Sequence, residues 1–284
     1  MSFPISMIPY ANMAPYRMLG EPENCHFVSL VPRESVTALR HNTVLAAAVP
    51  VGGLFALGDL VEPLGPYGIG AKERSMSVLF FSRKPFDQFG PEDRIRLTNE
   101  SASSVRLLYL LFGRRIGFDR LPRLAHARAA AADVDGELVI GNQALEWAWQ
   151  LENCPAVLAG PRPAELTLVT DLATEWMAQE NRPFVFARWV VRRDAPQAVK
   201  QALMNWLDRF RREEQALVTR AIKVVAREMC ASEAALVRYF EVIRCCLDEA
   251  DLAGQTRFEA LFRRHGREPL FDEETTGQQG QGQR

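Results

Sequence analysis

The chain has 284 residues, of which 48% are apolar and 24% are charged, the balance of an ordinary soluble globular protein. Its 34 Lys and Arg residues nearly cancel its 35 Asp and Glu residues, so no net charge favours nucleic acid or an anionic membrane surface. The N-terminus lacks the basic and apolar regions of a secretory signal, and the most apolar stretch, residues 44–57, is interrupted by Pro50, Gly52 and Gly53. We therefore expect a cytoplasmic protein that binds neither nucleic acid nor a membrane.

The cysteines and histidines indicate neither a metal site nor a disulfide framework. The number of cysteines is odd and none lies in a Cys-x-x-Cys motif. No histidine stands beside an obvious Ser or Cys nucleophile. The sequence therefore predicts no metal and no cofactor; the cysteines are Cys25, Cys154, Cys230, Cys245 and Cys246.

Through the first two thirds of the chain, short apolar runs alternate with helical spacing, which is typical of an α/β fold. Residues 5–8 and 45–49 are predicted strands that end at Pro9 and Pro50. Between them a helix is predicted around residues 35–40, with Pro32 near its first position. Residues 77–82 form another predicted strand, followed by a turn-rich connection.

The next segment is the most informative one. Residues 94–97 alternate as in a strand, and apolar residues from 105 to 112 recur at helical spacing. Hydroxyl side chains lie between them, so the strand ends in a turn that opens a helix with free backbone N–H groups and a positive dipole end. Such a turn suits a carboxylate or phosphate, although a serine there can equally be a simple N-cap. The hydroxyl residues are Thr98, Ser101, Ser103 and Ser104.

Further along, residues 137–140 are a predicted strand that ends at Gly141 and Asn142, with a helix over 143–150. The Pro- and Gly-rich residues 152–165 read as a loop. Strands are predicted over 167–170 and 184–191. From Pro196 the pattern turns helical, with further helices over 234–246 and 256–264, and the Gln- and Gly-rich tail is expected to be disordered.

This order predicts two α/β lobes with a helical C-terminal segment. We expect lobe I to comprise residues 1–88 and 190–271, lobe II to comprise residues 89–189, and residues 272–284 to form the tail. The chain would cross between the lobes near residues 82–91 and 186–193. A ligand would then bind in the cleft, at the carboxyl ends of the strands.

Several loops at predicted strand ends offer small polar groups without a strong general base, which suits a small polar anion. They contain Asn12, Ser77, Ser101 and Asn142. Asn12 can also be explained as an Asx-turn residue before Pro15, and Ser77 as an ordinary strand residue.

These segments, taken in order over residues 4–266, resemble the chorismate dehydratase family of the futalosine route to menaquinone. The matching features are Tyr10-x-Asn12-x-x-Pro15, Val49–Pro50, Ser77–Val78 with Ser82, the turn from Leu97 to Val105, Ile140–Gly141 with Ala144, Asp171–Leu172 with Trp176, and the segment from Pro183 to Trp189. Each motif is short, but their order and spacing together are fairly specific.

The resemblance implies a fold like that of type II periplasmic binding proteins. It also implies dehydration of chorismate to 3-[(1-carboxyvinyl)oxy]benzoate. On this reading Asn12 and Ser77 are the catalytic residues, with Ser77 donating from lobe I. The expected substrate-binding residues are Ser101, Ser103, Ser104, Gly141 and Asn142.

The chain departs from the family pattern at Asn142, where the family usually has Asp, at Leu45, which also replaces an Asp, and at Asn181–Arg182. A non-catalytic binding protein or sensor for a small aromatic or enolpyruvyl carboxylate is the main alternative. The sibling activity, a naphthoate-forming lyase, ranks lower because its early Cys-Pro-Asn-Asp-type motif is absent from the sequence.

Overall fold

The computed structural model describes residues 2–125, 133–153 and 165–265, and their strands pair into two sheets. The strands are β1 (Phe3–Met7), β2 (Cys25–Ser29), β3 (Ala46–Pro50), β4 (Val61–Ala71), β5 (Val78–Ser82), β6 (Arg94–Arg96), β7 (Arg123–Leu124), β8 (Gly136–Ile140), β9 (Leu168–Asp171), β10 (Phe184–Arg192) and β11 (Ile243–Cys246). The first sheet has the order β11-β4-β10-β3-β1-β2 and the second the order β7-β6-β8-β5-β9. The predicted α/β class is confirmed.

Helices connect and cover these strands. They are α1 (Ala14–Leu19), α2 (Pro32–Arg40), α3 (Val51–Leu57), α4 (Ala102–Ile116), α5 (Gly141–Asn153), α6 (Leu172–Glu180), α7 (Gln197–Glu228), α8 (Glu233–Val242) and α9 (Glu249–His265). β1 pairs in parallel with both β2 and β3, so α1 and α2 serve as crossover connections. The carboxyl ends of β1 and β3 consequently meet at one edge of the first sheet.

The chain passes between the sheets at different points from those predicted. β5 pairs with β8 and β9 in the second sheet, so the first crossing lies between Ala71 and Val78, before the predicted residues 82–91. β10 pairs with β3 and β4 in the first sheet, so the return lies at residues 181–183, before the predicted 186–193. The predicted boundaries at 88 and 189 are therefore displaced by one strand. Both strands are buried on both faces, and such strands do not reveal their sheet from sequence.

One hydrophobic core extends over both sheets and the helices that cover them. Tyr16 of α1 stacks on Phe210 of α7, with ring centroids 4.0 Å apart, and Trp189 of β10 packs edge-on against Tyr16. In the second sheet Phe80 packs edge-on against Phe112 of α4. These contacts join each sheet to a helix that the sequence pattern places beside it.

Some local predictions are wrong. Residues 234–246 were expected to form one helix, but α8 ends at Val242 and Ile243–Cys246 form an edge strand against β4. Strands β2 and β4 and helix α3 were not predicted, since glycines interrupt the pattern of β4 and α3. The expected disordered tail, most of the loop over 152–165 and part of the basic stretch 114–128 lie outside the described residues. Within the described ranges, no helix is long and apolar enough to cross a membrane.

Candidate active site

A cavity lies between the two sheets, at the carboxyl ends of β1, β3 and β8, and its empty space, including the part open to solvent, is about 500 Å³. Residues from both sheets and their loops form its wall. Among the described residues that line it, none carries an ionisable carboxylate, imidazole, amine or guanidinium group. The lining residues are Ile8, Tyr10, Asn12, Pro32, Pro50, Ile69, Ser77, Val78, Ser101, Ser104, Ile140, Gly141, Phe186, Ala187 and Ile243.

The described residues of this wall include no cationic side chain, and helix N-termini supply a positive potential instead. Pro32 is the first residue of α2, Gly141 is the first residue of α5, and Ser101 is the N-cap of α4; all three line the cavity. A helix N-terminus carries about half a positive charge, and it does so here although the Gly141 N–H donates to the Ser77 carbonyl at 2.8 Å and the Ser104 N–H to Ser101 Oγ at 3.3 Å. The cavity therefore favours an anion without containing a cationic side chain.

Ser101 and Ser104 form one polar edge of this cavity. The Ser101 Oγ accepts the Ser104 N–H at 3.3 Å and the Ser104 hydroxyl at 3.1 Å. Residues three positions apart share one helix face, so both hydroxyls point to the same side of α4. Ser101 is therefore both the N-cap of α4 and, together with Ser104, one of two serines of the predicted hydroxyl turn that line the cavity.

Ser103 faces the opposite direction and does not line the cavity. Its Oγ accepts the Gly52 N–H at 2.9 Å and its hydroxyl donates to the Phe186 carbonyl at 3.1 Å. Both partners belong to the first-sheet half of the chain, and the side chain is fully buried. The expectation that Ser103 contacts substrate disagrees with this geometry, since one step along a helix rotates the side chain by about 100°. Ser103 joins α4 to α3 and β10.

The loop after β1 carries Asn12. Its Oδ1 is buried and has no hydrogen-bond partner among the described residues, although the side chain lines the cavity. Arg17 donates to the Tyr10 carbonyl at 3.0 Å and thereby fixes this loop. A buried acceptor without a partner is costly unless a ligand supplies the donor.

Asn142 does not line the cavity but contacts this same loop. Its Oδ1 accepts the Ala11 N–H at 2.8 Å, so the second-sheet helix α5 holds the backbone beside Asn12. We expected Asn142 to bind substrate directly. The structure instead gives its side-chain oxygen a backbone partner.

Gly141 and Tyr10 line the cavity and lie against each other. Gly141 has φ of +65°, and a Cβ built on it would lie 3.0 Å from the Tyr10 ring. The Tyr10 hydroxyl in turn donates a hydrogen bond to Glu100 Oε2. Burial, reinforced by this carboxylate, raises the pKa of the Tyr10 phenol well above its usual value. Tyr10 is therefore a neutral hydrogen-bond donor.

Ser77 lines the cavity from the segment that crosses between the sheets, rather than from lobe I as expected. Asp171 holds this segment by accepting the Ser75 N–H at 2.8 Å and the Met76 N–H at 2.7 Å. Burial raises the pKa of Asp171 and these hydrogen bonds oppose that rise. The Ser77 hydroxyl donates to the Ser75 carbonyl at 3.3 Å, and the Tyr239 hydroxyl donates to Ser77 Oγ at 3.1 Å.

The structure therefore brings Asn12, Ser77, Ser101, Ser104 and Gly141 to one cavity and leaves Ser103 and Asn142 behind its wall. Sequence reasoning missed Tyr239, which lies 162 residues from Ser77 and has no motif of its own. Tyr10 stood in the recognised motif, but nothing in the sequence indicated its bond to Glu100. In the described part of the chain, no cluster of three His, Cys, Asp or Glu side chains is arranged to hold a metal ion.

Solved structures with the same architecture identify the fold class. The chain superposes on the alkanesulfonate-binding protein of Xanthomonas axonopodis pv. citri with a TM-score of 0.60, 16% identity and 93% coverage of both chains. Superposition on the aliphatic sulphonate-binding protein of Escherichia coli has a TM-score of 0.58, with 14% identity and 94% coverage of both chains. Superposition on a protein from Archaeoglobus fulgidus has a TM-score of 0.62 and 13% identity, and it covers 93% of this chain and 98% of that protein. The protein therefore has the two-lobed fold of periplasmic binding proteins.

Sequence similarity identifies the family. The pattern that defines a family described as menaquinone biosynthesis matches residues 4–264. A chorismate dehydratase from Thermus thermophilus is 30% identical over 255 residues, which cover 89% of this chain and 92% of that protein. The chain belongs to this menaquinone-biosynthesis family, and the resemblance inferred from the motifs is confirmed.

Proposed function

We propose that this protein is a chorismate dehydratase that converts chorismate to 3-[(1-carboxyvinyl)oxy]benzoate and water. The observation that carries the proposal is the cavity itself: helix N-termini converge on it, and among the described residues Asn12 Oδ1 has no partner and no lining side chain is an ionisable base. Chorismate has two carboxylates, one hydroxyl and an apolar ring. The cavity has a chemical counterpart for one carboxylate, for the hydroxyl and for the ring.

The proposed binding mode assigns a carboxylate to the edge formed by Ser101, Ser104 and the first turn of α4. Ser77 donates a hydrogen bond to the substrate from the adjacent crossing segment. Asn12 Oδ1 accepts a hydrogen bond from the C4 hydroxyl, which satisfies its buried lone pairs. The ring then packs against the apolar part of the wall, which includes Ile69 and Phe186.

The reaction removes the C3 proton and the C4 hydroxyl. The electron pair of the C3–H bond is delocalised through the ring diene onto the ring carboxylate, and loss of hydroxide from C4 then completes the aromatic ring. The proton and hydroxide leave together as water, so atoms and charge balance. Hydrogen bonds aimed at the ring carboxylate stabilise the charge that develops there, which is the main task left to the protein.

We infer that the proton acceptor is the enolpyruvyl carboxylate of the substrate itself. Among the described lining residues none offers a base, and the raised pKa of Tyr10 keeps its phenol protonated. Glu100 contacts the lining residue Tyr10, but that contact occupies one of its oxygens. Glu100→Gln keeps an oxygen for Tyr10 and removes the basic carboxylate. We expect this variant to retain turnover, whereas complete loss with binding intact would identify Glu100 as the base.

The direct test is incubation of the purified protein with chorismate, followed by ultraviolet spectroscopy and mass analysis of the product. Loss of one water with formation of the substituted benzoate establishes the reaction. An unchanged substrate together with a chorismate-induced rise in melting temperature would instead indicate a binding protein, because a ligand that binds only the folded state raises stability.

Two further properties follow as proposals. The strand pairing supports a second lobe bounded by the crossings at 72–77 and 181–183. A cytoplasmic location suits the free cysteines Cys25, Cys230, Cys245 and Cys246. Cell fractionation with an antibody against the chain tests the location.

A further inference from the structure

We propose that Tyr239 is a positioning residue that fixes the Ser77 hydroxyl as a hydrogen-bond donor to the substrate; this inference rests on the proposed function. Tyr239 lies on α8, in the helical C-terminal part of the chain, and does not line the cavity. Its hydroxyl lies 3.1 Å from Ser77 Oγ and donates to it. Tyr239 therefore acts on the substrate through Ser77.

The hydrogen-bond capacity of a serine hydroxyl explains the effect. Ser77 Oγ has one proton to donate and two lone pairs that accept. The Tyr239 hydroxyl occupies an acceptor position, while the Ser77 proton points to the Ser75 carbonyl at 3.3 Å. At 3.3 Å the bond to Ser75 is longer than the roughly 2.7–2.8 Å that is most common between a hydroxyl and an oxygen acceptor. The proton can therefore turn from Ser75 to an oxygen in the cavity at little cost, while Tyr239 keeps the oxygen atom in place.

The surroundings of both hydroxyls hold this arrangement. Tyr239 is 1% exposed and packs against Phe240, with ring centroids 5.3 Å apart. Burial raises the pKa of its phenol, so Tyr239 remains a donor at neutral pH. Asp171 fixes Ser75 through the Ser75 N–H and hydroxyl, which determines where the competing carbonyl stands. The Ser77 hydroxyl is thus oriented from two sides before substrate enters.

The test compares Tyr239→Phe with a matched control, Tyr16→Phe. Tyr16 is also fully buried, and its hydroxyl donates to the Cys245 carbonyl at 3.0 Å, away from the cavity wall. Removing one hydroxyl costs each variant a buried hydrogen bond. We expect Tyr239→Phe to lower kcat about three- to tenfold with KM unchanged, since one hydrogen bond that acts in the transition state has about this effect. Tyr16→Phe should lower the melting temperature and leave kcat unchanged.

A double variant separates positioning from a general structural effect. If Tyr239 acts through Ser77, adding Tyr239→Phe to Ser77→Ala causes no further loss of kcat. Losses that multiply would overturn the proposal, as would a Tyr239→Phe enzyme with the kcat of the wild type. A wild-type protein that does not convert chorismate would overturn the proposed function and the role of Tyr239 with it. An active wild type with an unaffected Tyr239→Phe variant would overturn the role of Tyr239 alone.

Discussion

Asn142 Oδ1 accepts the Ala11 N–H at 2.8 Å, a bond between residues 131 positions apart that ties the second-sheet helix α5 to the loop carrying Asn12. The resemblance described above implies Asp at this position in the family, and a carboxylate oxygen accepts such a bond as an amide oxygen does. The departure therefore preserves the contact while removing one negative charge. The bond explains how an exchange of Asp for Asn at this site is compatible with activity.

This relationship predicts different outcomes for two substitutions at Asn142. Asn142→Asp keeps the acceptor and adds a negative charge in the first turn of α5, where the helix dipole favours it. We expect unchanged or higher melting temperature and retained turnover. Asn142→Ala leaves the Ala11 N–H without this partner, which costs about 1–3 kcal/mol of stability and lowers kcat/KM. Thermal melts and steady-state kinetics of both variants check this, and equal damage by both would contradict the role of the bond.

The unpartnered side-chain oxygen of Asn12 predicts that a substitution at this position lowers activity without lowering stability. Its Oδ1 is buried without a partner in the described residues, so Asn12→Ala removes an unsatisfied acceptor from the protein. We expect the variant to melt at the same temperature as the wild type or higher, while kcat falls by about 100-fold or more because the hydrogen bond that orients the C4 hydroxyl is lost. Calorimetry without substrate and a turnover assay measure the two effects. A destabilised Asn12→Ala protein would show that the side chain is structural.

The two neighbouring serines Ser101 and Ser103 should behave differently. Ser103→Ala leaves the Gly52 N–H and the Phe186 carbonyl without their side-chain partner, which costs roughly 2–4 kcal/mol of stability. Its KM for chorismate should not change. Ser101→Ala removes an N-cap, costs about 1 kcal/mol and raises KM, because its hydroxyl lines the cavity. The same effect on KM from both variants would contradict the observed orientation of α4.

Gly141 predicts a steric effect on the cavity wall. An alanine at φ of +65° costs about 1 kcal/mol in backbone strain, and its Cβ would lie 3.0 Å from the Tyr10 ring. We expect Gly141→Ala to displace Tyr10 from its bond to Glu100 and to lower both stability and kcat/KM. Gly20→Ala tests backbone strain without a steric contact, since Gly20 has positive φ with a ψ of −179° that is essentially restricted to glycine, and no atom beyond its chain neighbours lies within 4 Å of the added Cβ. Full activity of Gly141→Ala would show that Tyr10 tolerates the shift.

The sequence predicted the elements whose periodicity is uninterrupted. The predicted strand over 184–191 and the predicted helix after Ser101 begin within three residues of the observed first residues of β10 and α4. Glycine-rich β4 and α3 were missed because glycines carry no side chain into the pattern. The crossing points were misplaced because a strand such as β5, buried on both faces, fits either sheet equally well.

The site was predictable as a set of loops but not as a set of atoms. Strand ends and the hydroxyl turn singled out Asn12, Ser77 and Ser101, which the structure brings to one cavity. Which serine faces the cavity depends on the rotation of α4 against the first sheet, a tertiary property. The contact of Tyr239 with Ser77 depends on where α8 packs, and no local pattern reports that.

The most direct measurement follows the wild type and Asn12→Ala with chorismate by ultraviolet spectroscopy and mass spectrometry of the product. We expect the wild type to form 3-[(1-carboxyvinyl)oxy]benzoate with loss of one water, and Asn12→Ala to form it about 100-fold or more slowly. Unchanged chorismate with the wild type, or a product that has lost its enolpyruvyl group and kept the C4 oxygen, would contradict it.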